Sequence, residues 1–321
     1  MLKSVWNAVS QRQPAASLGV ARASVIVPLY NHQRYIAQAL HSALEQGPIL
    51  REVIVVDDGS TDDSVAALRD ACRQDPKVVF WTQPNRGAHA ALNAGLMRAT
   101  GDVLFILNSD DVYAPGRLDQ MVAALDSDAT ADLVASGLSF IDDEGSPISS
   151  AWYEGALTFY RTSGDLGTAL VNGNFVMTTS NFAFRRELIE KVGLFAPLRY
   201  THDLDYLLRS LAQGCRVKLL LDQPLLSYRQ HARNTIKEDH GSVRVEWAIA
   251  AAAYLDCLIA AAGPSNWTRL QALNTVLDRH ELLPAVVLCL SYLRQQPSGG
   301  TMRYAALLAD TGFRAAVMEA L

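Results

Sequence analysis

The chain has 321 residues, 50% of them hydrophobic, with a formal net charge of −5. That length supports one large domain plus an appendage, and the mildly acidic balance excludes a protein that binds nucleic acid by neutralising phosphates. Cys72, Cys215, Cys257 and Cys289 lack paired spacing, which suggests neither a zinc motif nor a disulfide framework and points to reduced thiols.

Residues 1–22 form an expected N-terminal extension without a signal-peptide core. Strands are then expected at 24–28, 52–56, 77–81 and 102–107, alternating with helices at 34–45, 61–74, 87–99 and 115–125. This alternation predicts a doubly wound, mostly parallel sheet. Val53, Ile54, Val55 and Val56 show no polar alternation, as in a strand buried on both faces. Strands at 132–141 and 145–149, a mixed loop and helix region at 157–172, and a strand at 179–185 follow. The segment RRELIEKVGLF predicts a short helix ending before Gly193.

From 202 to 213, Leu204, Leu207, Leu208 and Leu211 recur at helical spacing. This places Asp203 and Asp205 near a helix N-terminus, where the dipole favours an acid by up to about 1 kcal/mol. A strand at 216–221, a loop at 227–235, and helices at 241–262, 265–280, 283–294 and 301–320 complete the chain, with breaks at Pro264, Pro284 and 297–300. The expected organisation is an extension (1–22), an α/β domain (23–240) and a helical C-terminal region (241–321). The most apolar window, 245–263, is interrupted by Glu246 and Asp256, so it fits a packed helix and not a bilayer span of about 20 residues. A cytoplasmic setting is expected, with peripheral contact at the inner face of the membrane left open.

Three of these strands end in ligand-binding side chains. Tyr30 and Asn31 follow Pro28; Asp57, Asp58, Gly59 and Ser60 follow the second strand; Asn108, Ser109, Asp110 and Asp111 follow the fourth. Ligands of open α/β sheets bind at the carboxyl ends of the strands, and so many acids around one ligand call for a cation. If Asp57 and Asp58 served only to cap the next helix, where Ser60 and Asp63 stand at capping-box spacing, one acid would be left idle.

Five segments in sequence, SVIVPLYNHQRYIAQALHSAL, EVIVVDDGSTDDS, NRGAHAALNAGLMRATGD, VLFILNSDDVYAPGRL and THDLDYLLRSLAQG, resemble the successive signatures of the family 2, inverting glycosyltransferases of GT-A fold. The resemblance covers about residues 22–235. It implies a nucleotide-sugar-binding α/β fold with a C-terminal helical appendage. It also implies metal-dependent transfer from a nucleotide-diphosphate sugar, UDP-sugar favoured, to a hydroxyl of a glycan or lipid-linked acceptor by direct displacement.

The resemblance distributes the roles residue by residue. Pro28 and Tyr30 border the base, with Tyr30 stacking on it and Asp58 accepting its N–H. Arg86, with Gly87 and the helix they introduce, offers an anion-friendly N-terminus, and Asn93, Asn108 and Ser109 are among the donor-binding residues. Asp110 is the main ligand for Mn²⁺ or Mg²⁺, Asp111 its alternative or outer partner, and His231 closes the site. Asp203 is the base, with Asp205 in reserve. Three positions depart from the family: Asn108 replaces Asp, Leu92 replaces Arg, and His202 replaces Glu. They leave a non-catalytic sugar-nucleotide or glycan-binding homologue as the alternative. A nucleotidyltransferase of related fold would carry a Gly-rich basic loop after the first strand, which PLYNHQRY does not supply. The C-terminal helices are candidates for self-association, membrane contact or acceptor binding.

Overall fold

The computed structural model describes residues 22–261, 263–296 and 301–321, so the expected extension before Arg22 and the break at 297–300 lie outside the described residues. Strands β1 (Ala23–Leu29), β2 (Leu50–Asp57), β3 (Val78–Thr82) and β4 (Val103–Ile106) run parallel in the order β3-β2-β1-β4. Helices α1 (Ile36–Leu44), α2 (Ser64–Cys72) and α3 (Ala88–Arg98) make the crossovers. All of β1 is buried, as an apolar run between two helix layers must be.

The chain winds outward from β1 to β3 and then returns to place β4 on the other side of β1. That reversal is the position at which such sheets open a crevice. Pairing of β1 with β2 continues to Leu29 opposite Asp57, whereas pairing with β4 stops at Ile26 opposite Ile106. Pro28 accounts for the difference. Ile26 C=O accepts from Leu107 N–H, so two residues later Pro28 faces the same neighbour with no N–H to give.

The sheet continues past β4 through β8 (Ala183–Arg185), β6 (Ala131–Ile141), β9 (Arg216–Arg229) and β5 (Val112–Tyr113), with β7 (Pro147–Ile148) on the edge of β6. Here β8, β7 and β5 run antiparallel to their neighbours, while β6 and β9 are parallel. The expected strand 216–221 is much longer, because β9 shifts register around Pro224 and carries on beside β6. A Cβ on Gly137 would collide with Leu221 C=O, so glycine is what lets this bulge close.

Other segments also depart from expectation. Of 179–185, Thr179–Asn181 is a 3₁₀ turn, because Ser180 and Asn181 turn their side chains into buried hydrogen bonds with Asp111 and Ser136. Region 157–172 belongs to two helices, α5 (Ala151–Ser163) and α6 (Leu166–Asn172), N-capped by Ser150 and Asp165. They follow α4 (Arg117–Asp126). Helix α7 (Leu188–Val192) ends before Gly193 as predicted, and α8 (His202–Ala212) carries the expected acids in its first turn.

The C-terminal region comprises α9 (His240–Ala260), α10 (Pro264–Arg279), α11 (Leu283–Gln295), α12 (Met302–Ala309) and α13 (Thr311–Glu319). The last two were expected as one helix, but Asp310 caps a new one by accepting from Phe313 N–H. Ala248, Ile249, Ala251 and Ala252 of α9 are fully buried, in one apolar core with Tyr206 and Leu207 of α8. Among the described residues no helix is long and apolar enough to cross a membrane.

Candidate active site

Where β1 and β4 part, His32, Asp110 and His231 converge, each offering one ligand atom within 4.8 Å of the others. They come from the chain just after β1, β4 and β9. His231 Nε2 lies 3.0 Å from Asp110 Oδ2, and His32 Nδ1 lies 2.7 Å from Ser109 Oγ. Among the described residues His32 Nε2 has no protein partner, so it is the ring nitrogen open to a ligand. Tyr35 stacks on His231 with centroids 5.1 Å apart. The buried Arg229 guanidinium, 4.9 Å from the Tyr35 centroid, donates to Asp110 C=O, Asp142 C=O and Gln38 Oε1. One cation thereby ties β4, α1 and the 142–143 turn together.

Burial opposes ionisation of Asp110, but His32 and the hydrogen bond with His231 outweigh it and hold the carboxyl below its usual range. An anionic carboxylate and two imidazoles at this spacing fit a divalent ion, whose bonds of about 2.1 Å would draw them slightly closer. Asp111 is not part of this set. Its carboxylate is 1% exposed and accepts from Ser180 Oγ and Arg229 N–H. Burial and the neighbouring Asp110 push it up to about 8. The metal-ligand expectation for Asp111 therefore gives way to a role in fixing the 178–180 turn and β9.

Asp203 stands in the first turn of α8, 8% exposed. Its Oδ2 accepts from Asn174 Nδ2 at 2.9 Å and its Oδ1 from Leu204 N–H. Burial pushes its carboxyl up to about 7. Burial, and then the nearby Asp111, Asp110 and Asp203, raise the Tyr228 hydroxyl above its ordinary range. Asp205, the reserve base, is taken up elsewhere: it is 1% exposed and pairs with Arg209 at 2.8 Å. His202 is lowered to about 4 by burial and by His89, so its ring is neutral and brings none of the charge of the Glu it replaces.

Tyr30 is 43% exposed at the end of β1, behind the buried Pro28. Asp58 accepts from Gln83 Nε2 (2.8 Å), Arg86 N–H (3.0 Å) and Gly87 N–H (2.7 Å). Asp58 thus fixes the backbone just before α3, whose N-cap Gly87 has no side chain to bond the first turn. The Arg86 side chain is exposed beside it. Asn93 spends both amide atoms on the backbone of Phe195, so the expected donor-binding role gives way to that of a loop anchor. Asn108 donates to Thr178 Oγ1 and accepts from Thr179 Oγ1, which holds it to the same turn as Asp111. Leu92 is fully buried in the core. Sequence reasoning missed His32, Asn174 and Arg229. Only His32 lay in a quoted signature.

A family model described as glycosyl transferase family 2 matches residues 24–193. An uncharacterized glycosyltransferase of Nostoc sp. (strain PCC 7120) is 33% identical over 228 residues, which is 66% of this chain and 65% of the relative. Chondroitin synthase of Escherichia coli is 33% identical over 129 residues, 40% of this chain and 19% of the relative. The chain thus spans less than two thirds of the length of these curated relatives. Among solved structures, TarS of S. aureus in complex with UDP superposes with a TM-score of 0.60 at 18% identity, covering 93% of this chain and 90% of that one. The mannosyltransferase PcManGT of Pyrobaculum calidifontis, in complex with GDP-Man and Mn²⁺, gives 0.57 at 22% identity, covering 99% and 92%. At these identities the likeness establishes the shared fold.

Proposed function

Because this chain belongs to glycosyl transferase family 2, we propose that it moves a sugar from a nucleotide-diphosphate sugar, UDP-sugar favoured, to a hydroxyl of a glycan or lipid-linked acceptor, with inversion. The observation that carries this reading is Asp203. It is a carboxyl raised by burial to about 7, in the first turn of α8 and held there by Asn174. A base with such a value is matched to physiological pH.

In the proposed reaction the acceptor O–H gives its proton to Asp203 as its oxygen bonds to the anomeric carbon. The bond from that carbon to the diphosphate oxygen breaks, and the diphosphate leaves with the electron pair. Tyr30 stacks on the base, and Asp58 orders the loop at Arg86 and Gly87 against the donor. Asp110 and His231, with His32, would hold Mn²⁺ or Mg²⁺, which when bound would neutralise charge growing on the diphosphate. The solved neighbours, one with UDP and another with GDP-Man and Mn²⁺, support a nucleotide-sugar donor and a divalent ion.

The test is nucleotide release from UDP-glucose, UDP-galactose, UDP-N-acetylglucosamine and GDP-mannose with Mn²⁺, Mg²⁺ or chelator, followed by NMR of the product anomer. Release that requires a metal and gives the inverted anomer is expected. Binding of every donor without turnover would favour the non-catalytic homologue, and retention at the anomeric carbon would remove the single displacement.

A further inference from the structure

The C-terminal helix α9 grips both segments that build the environment of Asp203, and it does so with two consecutive residues. Glu246 is 4% exposed. Its Oε1 accepts from Arg199 N–H at 2.8 Å, and its Oε2 accepts from Tyr200 N–H at 2.6 Å and Thr201 N–H at 3.0 Å. Thr201 is the N-cap of α8, but its own side chain makes no capping bond, and its hydroxyl oxygen has no partner among the described residues. Glu246 therefore fixes, from a distant helix, the three consecutive backbone N–H groups that lead into the turn carrying Asp203.

Trp247, pointing about 100° away around the same helix, donates Nε1–H to Val171 C=O at 3.1 Å. Val171 lies in the last turn of α6, three residues before Asn174, whose amide holds Asp203 Oδ2. The intervening Asn172 is held in turn by His280 Nε2 at 3.2 Å and an Arg279 guanidinium nitrogen at 3.3 Å. A buried carboxylate is expensive unless its oxygens are filled. Here the filling donors all belong to the approach to one acid.

We infer that Glu246 and Trp247 are positioning residues for Asp203, so that the C-terminal helical region, which lies beyond the family match, is part of the catalytic apparatus. The inference rests on the reading of Asp203 as the base. Neither residue touches substrate; Glu246 sets where the first turn of α8 begins, and Trp247 sets where Asn174 stands.

The experiment compares Glu246→Gln, Trp247→Phe and Asp203→Asn, singly and combined, on the full chain with Mn²⁺. It uses whichever of the four sugar nucleotides turns over, and follows hydrogen exchange of the free protein in parallel. Glu246→Gln should lower kcat roughly 10- to 100-fold while donor KM and UDP affinity stay within about twofold. Trp247→Phe, which keeps an aromatic ring and loses the donor, should do the same more weakly. Added to Asp203→Asn, neither should cost anything further, since a residue acting through the base has nothing left to act on. Exchange should quicken at 199–206 in the first variant and at 170–175 in the second, with β1 and β4 unchanged.

Equal losses with and without Asp203, or UDP affinity falling in step with kcat, would reduce both residues to general scaffolding. Unaltered exchange in both variants would overturn the inference outright. Parental turnover in Asp203→Asn alone would remove the base assignment, and exchange would then judge the brace separately. If Glu246→Gln does not fold, Trp247→Phe carries the same test.

Discussion

His231 Nε2 lies 3.0 Å from Asp110 Oδ2, while Arg233 N–H donates to the opposite ring nitrogen at 3.1 Å. With Nδ1 so engaged, the neutral ring in the metal-free protein carries its proton on Nε2 and gives it to the carboxylate. His231 would therefore ligate an ion through Nε2 only after that proton moves to Nδ1 and the Arg233 N–H bond is given up. Two imidazoles beside one carboxylate make a donor set that suits Mn²⁺, Co²⁺ or Zn²⁺ better than Mg²⁺. Asp110→Asn should abolish the part of UDP affinity that depends on metal. His32→Gln should narrow the preference for Mn²⁺ over Mg²⁺ by about tenfold, on the order of one lost ligand. Calorimetric titration of UDP with each ion checks both. An undiminished Mn²⁺ increment in Asp110→Asn would move the ion elsewhere.

Asp58 is bound to a different outcome. A residue that only read a nucleobase could be truncated without affecting folding, but Asp58 also satisfies two backbone N–H groups at the entrance of α3 and the Gln83 amide. Asp58→Ala should therefore lower stability by about 1–3 kcal/mol, the usual cost of leaving buried donors unsatisfied, and weaken UDP binding together with it. Urea unfolding and UDP titration of one preparation measure both. Unchanged stability would mean that water replaces the carboxylate at no cost.

The parts of the molecule legible in the sequence are those fixed by local rules. Strands β1, β2 and β4 follow from unbroken apolar runs, and the site mouth follows from Tyr30, Asp58 and Asp110 at their ends. What stayed hidden depends on partners far along the chain. Asn93 looked free until Phe195 took both ends of its amide, 102 residues away. Arg229 reaches Asp110 across 119 residues, and no spacing rule encodes that contact. Asp222, Gln223 and Pro224 have the composition of a turn, yet they form a bulge inside one long strand because β6 supplies pairing on either side of them. His32 carried no periodic signal at all. A single imidazole after a strand becomes informative only when Asp110 and His231 are seen around it.

Tyr30 offers a cleaner probe of the base pocket than Asp58, because 43% of its surface is exposed and little of the fold leans on it. A base stacked on an aromatic ring is worth about 1–3 kcal/mol. Tyr30→Ala should thus weaken UDP binding by roughly 5- to 150-fold at constant melting temperature, and Tyr30→Phe, which keeps the ring, should bind like the parent. Loss of affinity in the Phe variant would shift the role from stacking to the hydroxyl.

Asp203 separates an enzyme from a binding protein, and its buried setting makes two independent demands. As the base it must be ionised to accept the acceptor proton, so kcat/KM should rise with pH about a midpoint near 7. Asp203→Asn should lose the pH limb and about 10² to 10⁴ of turnover while keeping donor affinity. Its effect on stability has the opposite sign from that of a helix cap. The carboxyl is raised from the ordinary 3.8 to about 7 in the folded protein, so between those values the native state holds a proton that the unfolded chain has released. Stability must then fall as pH rises through that window, and the penalty is complete above about pH 7. Asn carries no charge and escapes the penalty, so Asp203→Asn should gain stability over the parent at pH 8 and gain little at pH 4. An acid that merely complemented the helix dipole would behave in reverse, its neutralisation costing up to about 1 kcal/mol at pH 8. Melting curves at the two pH values, with donor titration and turnover on the same samples, decide between them. A variant that is destabilised at pH 8 and still turns over would remove Asp203 as the base and place proton abstraction elsewhere.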